Sequence, residues 1–313
     1  MRRIGSALAM ISALLAAGPA RAAPPGSPWG RGYFPNPEVV TQDGKKVHFY
    51  DDLVEDRLVV VTFIYTHCNK QCPLITSSMA RVQRQLGERM GKDVTFVSVS
   101  LDPERDTPER LKEYAQAYKA GPGWTFVTGA KADIQAIRRK FGDLQDVENH
   151  TANAIVGNDR TGQWFATGAV DNPKYLAIVV GDWLDPSWRD RPAGRSYAEA
   201  KRPVPPTRAE TIWNGKCAAC HDEGGDAVGP PLRGVVARRG ADWVERWVLA
   251  PERLVAARDP AAIDLVDRYK GILMPNMDLS EDDARAMVAW LAQARAEIGG
   301  PAPAGERVTV LER

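Results

Sequence analysis

Histidine and cysteine are scarce in this chain, with four of each among 313 residues. So few cysteines exclude a small scaffold built on disulfides. An excess of charge of one sign is also missing. Lys and Arg together number 41 and Asp and Glu 40, for a formal net charge of +1. A nucleic-acid binder needs a broad basic footprint, so nucleic acid is excluded as a partner. No apolar run approaches the roughly 20 residues that span a bilayer comfortably, which excludes a polytopic membrane protein. Internal repeats are absent. What remains is ordinary globular composition, 44% hydrophobic and 26% charged, which excludes a disordered or collagen-like chain. At roughly 150 residues per domain, the length suggests two domains.

The chain opens with Arg2-Arg3, a short apolar stretch from Ile4 to Ala17, and Ala20-Arg21-Ala22. Charged start, apolar middle and small-x-small ending predict a signal peptide over 1–22 and export to the periplasm. An uncleaved N-terminal anchor is the alternative, and peripheral association with the membrane stays open. A Pro/Gly-rich lead-in follows, and then the rhythm is α/β. Leu58 to Tyr65 and Val94 to Leu101 are continuously apolar and β-branched, as strands covered on both faces should be. Between them Met79, Val82, Leu86 and Met90 recur at helical spacing, predicting a helix over 74–90. Thr107-Pro108 caps another helix, 132–141 reads as a third, and strands over 153–157 and 163–167 flank a polar turn. Strands alternating with helices imply an open sheet with crossover helices. The α/β region is placed at 23–185. The Pro-, Arg- and Gly-rich stretch 186–207 reads as a linker. Beyond it the pattern is helical only, over 208–215, 243–249 and 280–296, within a second domain at 208–298. A disordered tail is expected over 299–313.

The cysteines fall in two close pairs. Cys217-Ala218-Ala219-Cys220-His221 has the c-type haem attachment spacing. Two thiols add to the haem vinyl groups, and the adjacent His221 becomes the proximal iron ligand. Zinc would call for a second ligand pair in the same domain, and none follows His221. A redox dithiol would be expected in an α/β context, and this segment is helical. The region 209–298 resembles the small bacterial class of cytochrome c domains. Val228-Gly229-Pro230-Pro231-Leu232 looks like that family's loop supporting the proximal histidine, and Met274-Pro275 like its step before the last helix. The resemblance implies Met274 as the axial ligand, with Met277 as the fallback, and one covalent haem c.

Cys68-Asn69-Lys70-Gln71-Cys72-Pro73 follows directly on the first buried strand. Three intervening residues put both sulfurs on one side of a turn entering a helix. Soft thiolates at that separation suit Cu(I), and a distant imidazole would extend the set to Cu(II). A structural disulfide and a thiol–disulfide reductant activated by the helix N-terminus are the competing readings. The stretch 36–185 resembles the Sco/SenC family of copper-binding, thioredoxin-fold proteins. Tyr65-Thr66-His67-Cys68 with Cys72-Pro73, the block Ser100 to Pro108, and Asn149-His150-Thr151 carry the resemblance. It implies Cys68, Cys72 and His150 as ligands of one copper ion. The family usually has proline after the first cysteine, where this chain has Asn69, and most relatives carry a membrane anchor. His67 is read as part of the strand-end motif and His48 as a surface residue.

Together the resemblances imply an α/β thioredoxin-like domain followed by a small all-α cytochrome c domain. The expected function is an exported copper metallochaperone with a covalently attached haem. It would assist copper-centre assembly in a respiratory oxidase, transfer single electrons, or both. A copper-oxidase subunit is the expected recipient, and other cytochromes or redox proteins are further partners. The alternatives are an enzyme, a thiol–disulfide oxidoreductase using Cys68 and Cys72 on an apo-oxidase subunit, and a plain electron carrier.

Overall fold

The computed structural model describes residues 28–147, 152–170, 173–183, 206–221 and 227–293. The predicted signal peptide, tail and His150, and the linker up to residue 205, lie outside the described residues.

The frame of the first domain is two buried parallel strands with a helix between them. Strand β3 (Leu58–Ile64) is buried at all seven positions, as an uninterrupted apolar run requires of a strand covered on both faces. It follows β1 (Glu38–Thr41), β2 (Lys46–His48) and the short helix α1 (Phe49–Leu53). Helix α2 (Gln71–Leu86) crosses to β4 (Val94–Ser100), which pairs with β3 in parallel from Leu58 opposite Val94 to Ile64 opposite Ser100. Next come α3 (Pro108–Ala117), β5 (Trp124–Gly129), α4 (Lys131–Lys140), the hairpin β6 (Asn153–Asn158) and β7 (Gln163–Gly168), and α5 (Pro173–Ile178). The sheet runs β2-β1-β5-β4-β3-β6-β7. β5 continues the parallel centre, while β1 and β6 pair antiparallel on its flanks. Fully buried Phe49, Ile75, Met79, Phe96 and Phe126 anchor the core.

Helix α2 starts at Gln71, three residues earlier than its apolar spacing predicts, and so takes in Cys72 and Pro73. It ends before Met90 because Gly87 turns the chain at φ 53°; a single 3₁₀ turn then carries Met90 back into the core. Helix α3 begins as predicted, with the Thr107 hydroxyl accepting from the Arg110 amide. His48 is exposed on β2. β2 coincides with the strand-like stretch Lys45 to Phe49, whereas β1 and β5 were not evident in the apolar pattern.

The second domain is helical: α6 (Arg208–Ile212), α7 (Val235–Arg239), α8 (Ala241–Leu249), α9 (Pro251–Ala256), α10 (Pro260–Arg268) and α11 (Glu281–Gln293). Its core gathers Ile212, Val244, Val248, Met287, Val288 and Leu291. The helix predicted over 208–215 is α6 followed by a π turn, Trp213–Cys217. That wider turn delivers Cys217 into the interior, where it is buried. Among the described residues no helix is long and apolar enough to cross a membrane.

Candidate functional site

The first cysteine pair lies at the carboxyl end of β3, where open α/β sheets present their crevices. The Cys68 amide donates to the Tyr65 carbonyl at 3.2 Å, closing a turn directly after the strand. Asp106 holds that turn in place. Fully buried, it accepts from the Thr66 hydroxyl at 2.6 Å, the Thr66 amide at 3.3 Å and the Ser100 hydroxyl at 2.5 Å. One carboxylate therefore ties the ends of β3 and β4 together two residues before Cys68. Both cysteines are buried and not joined in a disulfide, and the Cys72 amide points at Cys68 Sγ from 3.4 Å. Burial, and then its hydrogen bond to Cys68, push the Cys72 thiol up from its ordinary range. Two adjacent, unbridged sulfurs are a donor set that suits a soft cation.

Among the described residues, no third His, Cys, Asp or Glu joins this pair to complete a metal-binding group. His150, the expected third ligand, lies outside the described residues. The His67 ring is engaged elsewhere, its Nε2 3.1 Å from an Arg105 nitrogen and 3.6 Å from the Asp102 carboxylate.

The second pair opens onto an apolar cleft. Cys217, His221, Met274 and Met277 line it together with Trp247 and Tyr269, around a cavity of about 310 Å³. Backbone bonds from the Cys220 and His221 amides to the Cys217 carbonyl wind the motif into one compact turn. His221 is buried, and its Nδ1 donates to the Pro230 carbonyl at 2.8 Å. That bond fixes the tautomer and leaves Nε2 as the lone-pair donor, the arrangement an iron-ligating histidine needs. Burial lowers the His221 pKa, which favours the neutral ring, and pushes the Cys217 thiol up to about 12. Gly229 completes the cradle, since a Cβ there would stand 2.7 Å from His221 Cε1. The loop Val228 to Leu232 thus supports the ring as its motif implied. Opposite, Lys216 donates to the Met277 carbonyl at 2.6 Å and pins the methionine loop to the cysteine motif. A covalently attached porphyrin fits these residues: an apolar slot, two thiols on one edge, and an imidazole with a free nitrogen.

The two centres adjoin. Pro73, Leu74 and Ser77 of α2 line the same cleft as Cys217, Cys220 and His221. A groove separates Asn69 to Gln71 from the segment 273–278. Sequence reasoning found both cysteine pairs, His221 and the methionine loop; it missed Asp106 as the brace and Gly229 as the floor. Both stand inside the motifs already noted, so the signal was a buried acid in a polar block and a glycine beside two prolines.

Residues 35–159 match the family model described as SCO1/SenC, and residues 206–295 the model described as Cytochrome c. The SCO1 protein homolog of Bacillus subtilis is 36% identical over 128 residues, 38% of this chain and 65% of that protein. A Stutzerimonas stutzeri protein named for copper binding is 31% identical over 108 residues, covering 34% and 51%. The matched stretch therefore spans about half to two thirds of these relatives' length. Among solved structures, Bradyrhizobium japonicum ScoI with copper bound is similar at 25% identity and TM-score 0.40, covering 48% of this chain and 99% of that one.

Proposed function

From a chain that joins a SCO1/SenC domain to a cytochrome c domain, we propose an exported, periplasmic copper metallochaperone with one covalently attached haem. Its cargo is a single copper ion held by Cys68, Cys72 and His150. Its recipient is the copper-binding subunit of a respiratory oxidase. Cys217 and Cys220 would hold the haem covalently and His221 and Met274 would ligate its iron, and the group would supply a one-electron couple. The observation that carries the reading is the pair of unbridged, buried sulfurs at the head of α2.

This chain's own residues have distinct tasks. Asp106 and the Tyr65 carbonyl hold the cysteine turn against the sheet. Pro230 orients His221, Gly229 leaves room for its ring, and Lys216 secures the methionine loop. The apolar lining excludes water from the cleft, which favours a high haem potential alongside a thioether ligand.

The test is metal analysis and intact mass measurement of full-length protein expressed with periplasmic haem attachment. The expected result is one copper and one haem per chain, with Cys68→Ser, Cys72→Ser or His150→Ala each losing the copper and retaining the haem. Copper bound equally by Cys68→Ser overturns the assignment.

One observation favours a second reading. The Cys72 amide at the start of α2 points at Cys68 Sγ, as a donor stabilising a thiolate would. Under this reading the pair reduces a disulfide on the recipient, becoming a disulfide itself as two electrons and two protons pass to the partner's sulfurs. Disulfide reduction that survives His150→Ala and stops with Cys68→Ser would favour it over copper transfer.

A further inference from the structure

Helix α2 belongs to both centres. Its first turn carries Cys72, and Ser77, five residues on, stands beside the Cys220 thiol. Five residues of α-helix advance about 7.5 Å. One turn further, Arg81 reaches across and donates from Nη1 to the His221 carbonyl at 2.8 Å and also to the Ala218 carbonyl. These carbonyls belong to the short turn that would carry the haem thiols. Val228, next to the glycine under His221, is buried in the core of the first domain rather than the second.

A guanidinium at this place has two physical consequences. Both bonds leave from Nη1, and the rigid plane of the guanidinium can hold the motif turn to α2 at a fixed orientation, which a freely rotating ammonium does less well. Its fixed positive charge, half-buried against the backbone of the proximal histidine, disfavours additional positive charge on the iron. The reduced haem is the less positive state, so the charge favours reduction.

We infer that Arg81 is a positioning residue contributed by the copper-binding domain to the haem centre, one that raises the haem potential and couples it to metal loading at Cys68 and Cys72. The inference rests on the reading above for what the two centres hold. A change of charge at Cys72 is transmitted along a single rigid helix whose far contact is the Arg81 bridge.

The experiment is potentiometric titration of full-length haem-loaded protein, with and without one equivalent of Cu(I), for wild type, Arg81→Lys and Arg81→Gln. Amide hydrogen exchange over 217–221 is followed on the same samples. Arg81→Gln should shift the haem equilibrium toward the oxidised form about tenfold, about 59 mV for one electron. Wild type should show a copper-dependent shift in potential, and Arg81→Gln should abolish it. Arg81→Lys should retain the potential, because the charge remains, yet show faster exchange over 217–221, because the rigid planar donor is lost. If Arg81→Gln does not accumulate, Arg81→Lys carries the test, and a potential displaced tenfold in that variant overturns the electrostatic role. Equal potentials in wild type and Arg81→Gln, or a copper-dependent shift preserved in Arg81→Gln, overturn the inference while leaving bound copper and haem intact. Protein with haem and no copper overturns the functional reading and the coupling to metal. Protein without haem overturns both.

Discussion

A Cβ at Gly229 would stand 2.7 Å from Cε1 of His221 and 2.9 Å from its Nδ1. The proximal ring is therefore seated on bare backbone, and its hydrogen bond to Pro230, one residue further on, depends on that close approach. Gly229→Ala should push the imidazole out of its seat. Overpacking of this kind typically costs about 1–3 kcal/mol, and here it should also disturb iron ligation. Gly215→Ala is the control, because nothing lies within 4 Å of a Cβ there. Thermal unfolding and the haem absorption spectrum should both change in the first variant and stay put in the second. A normal spectrum and melting curve for Gly229→Ala would show that the ring does not need this floor.

Asp106 should matter more for copper retention than its distance in sequence from the cysteines suggests. Removing its carboxylate leaves the Thr66 amide and hydroxyl and the Ser100 hydroxyl without their acceptor. Buried donors stripped of a charged partner cost about 1–3 kcal/mol each, so with three donors affected Asp106→Ala should destabilise the first domain by at least about 3 kcal/mol. Because Thr66 is two residues from Cys68, the cysteine turn should loosen and copper should exchange faster with a chelator. Denaturant unfolding and competition with a Cu(I) chelator measure the two effects. Unchanged copper exchange in a destabilised variant would confine Asp106 to a structural role.

Both cysteine pairs were legible because their chemistry demands sulfurs close together in sequence. Strands β3 and β4 were legible because a doubly covered strand needs an unbroken apolar run. Strand β5 was not, since Trp124-Thr125-Phe126-Val127-Thr128 alternates with hydroxyl residues and is ended by Gly129. Helices α9 and α10 are short and each begins with proline, so they resemble turns until their partners are known. The contact between Arg81 and the haem motif joins residues 137 and 140 positions apart. No local pattern encodes such a bridge; only the docking of the domains creates it. In the sequence the two centres appear separated by a linker, whereas α2 lines the haem cleft directly.

Asp159 supplies a pH dependence whose sign can be worked out. It is buried, accepting from the Tyr50 hydroxyl at 2.9 Å and the Asp56 amide at 3.1 Å, and burial holds its pKa above the usual carboxylate value. The folded state therefore keeps its proton to higher pH than the unfolded state. Stability from this group falls as pH rises through the window that opens near about 4, and levels off once the folded carboxylate has ionised. Asp159→Asn lacks that loss. The stability of the variant relative to wild type should increase with pH across the window and then become constant. Unfolding measured at a series of pH values checks it, and a relative stability that declines with pH would reverse the assigned direction.

Met274 and Met277 both line the haem cleft, but their surroundings assign them different work. Met277 is buried, and its backbone carbonyl is held by Lys216; that bond survives any change of side chain. Met274 is half-buried at the start of the Met-Pro step. Met277→Ala should lose packing, with a cost of about 2–5 kcal/mol for a buried methionine, while the haem keeps its axial ligands and its spectrum. Met274→Ala should cost less in stability, remove the thioether ligand, and lower the haem potential. Absorption spectra and potentiometry on the two variants, read beside their melting curves, separate the roles. If Met277→Ala abolishes the thioether-ligated spectrum and Met274→Ala leaves it intact, the axial ligand is Met277, and the Lys216 bond then becomes what presents it to the iron.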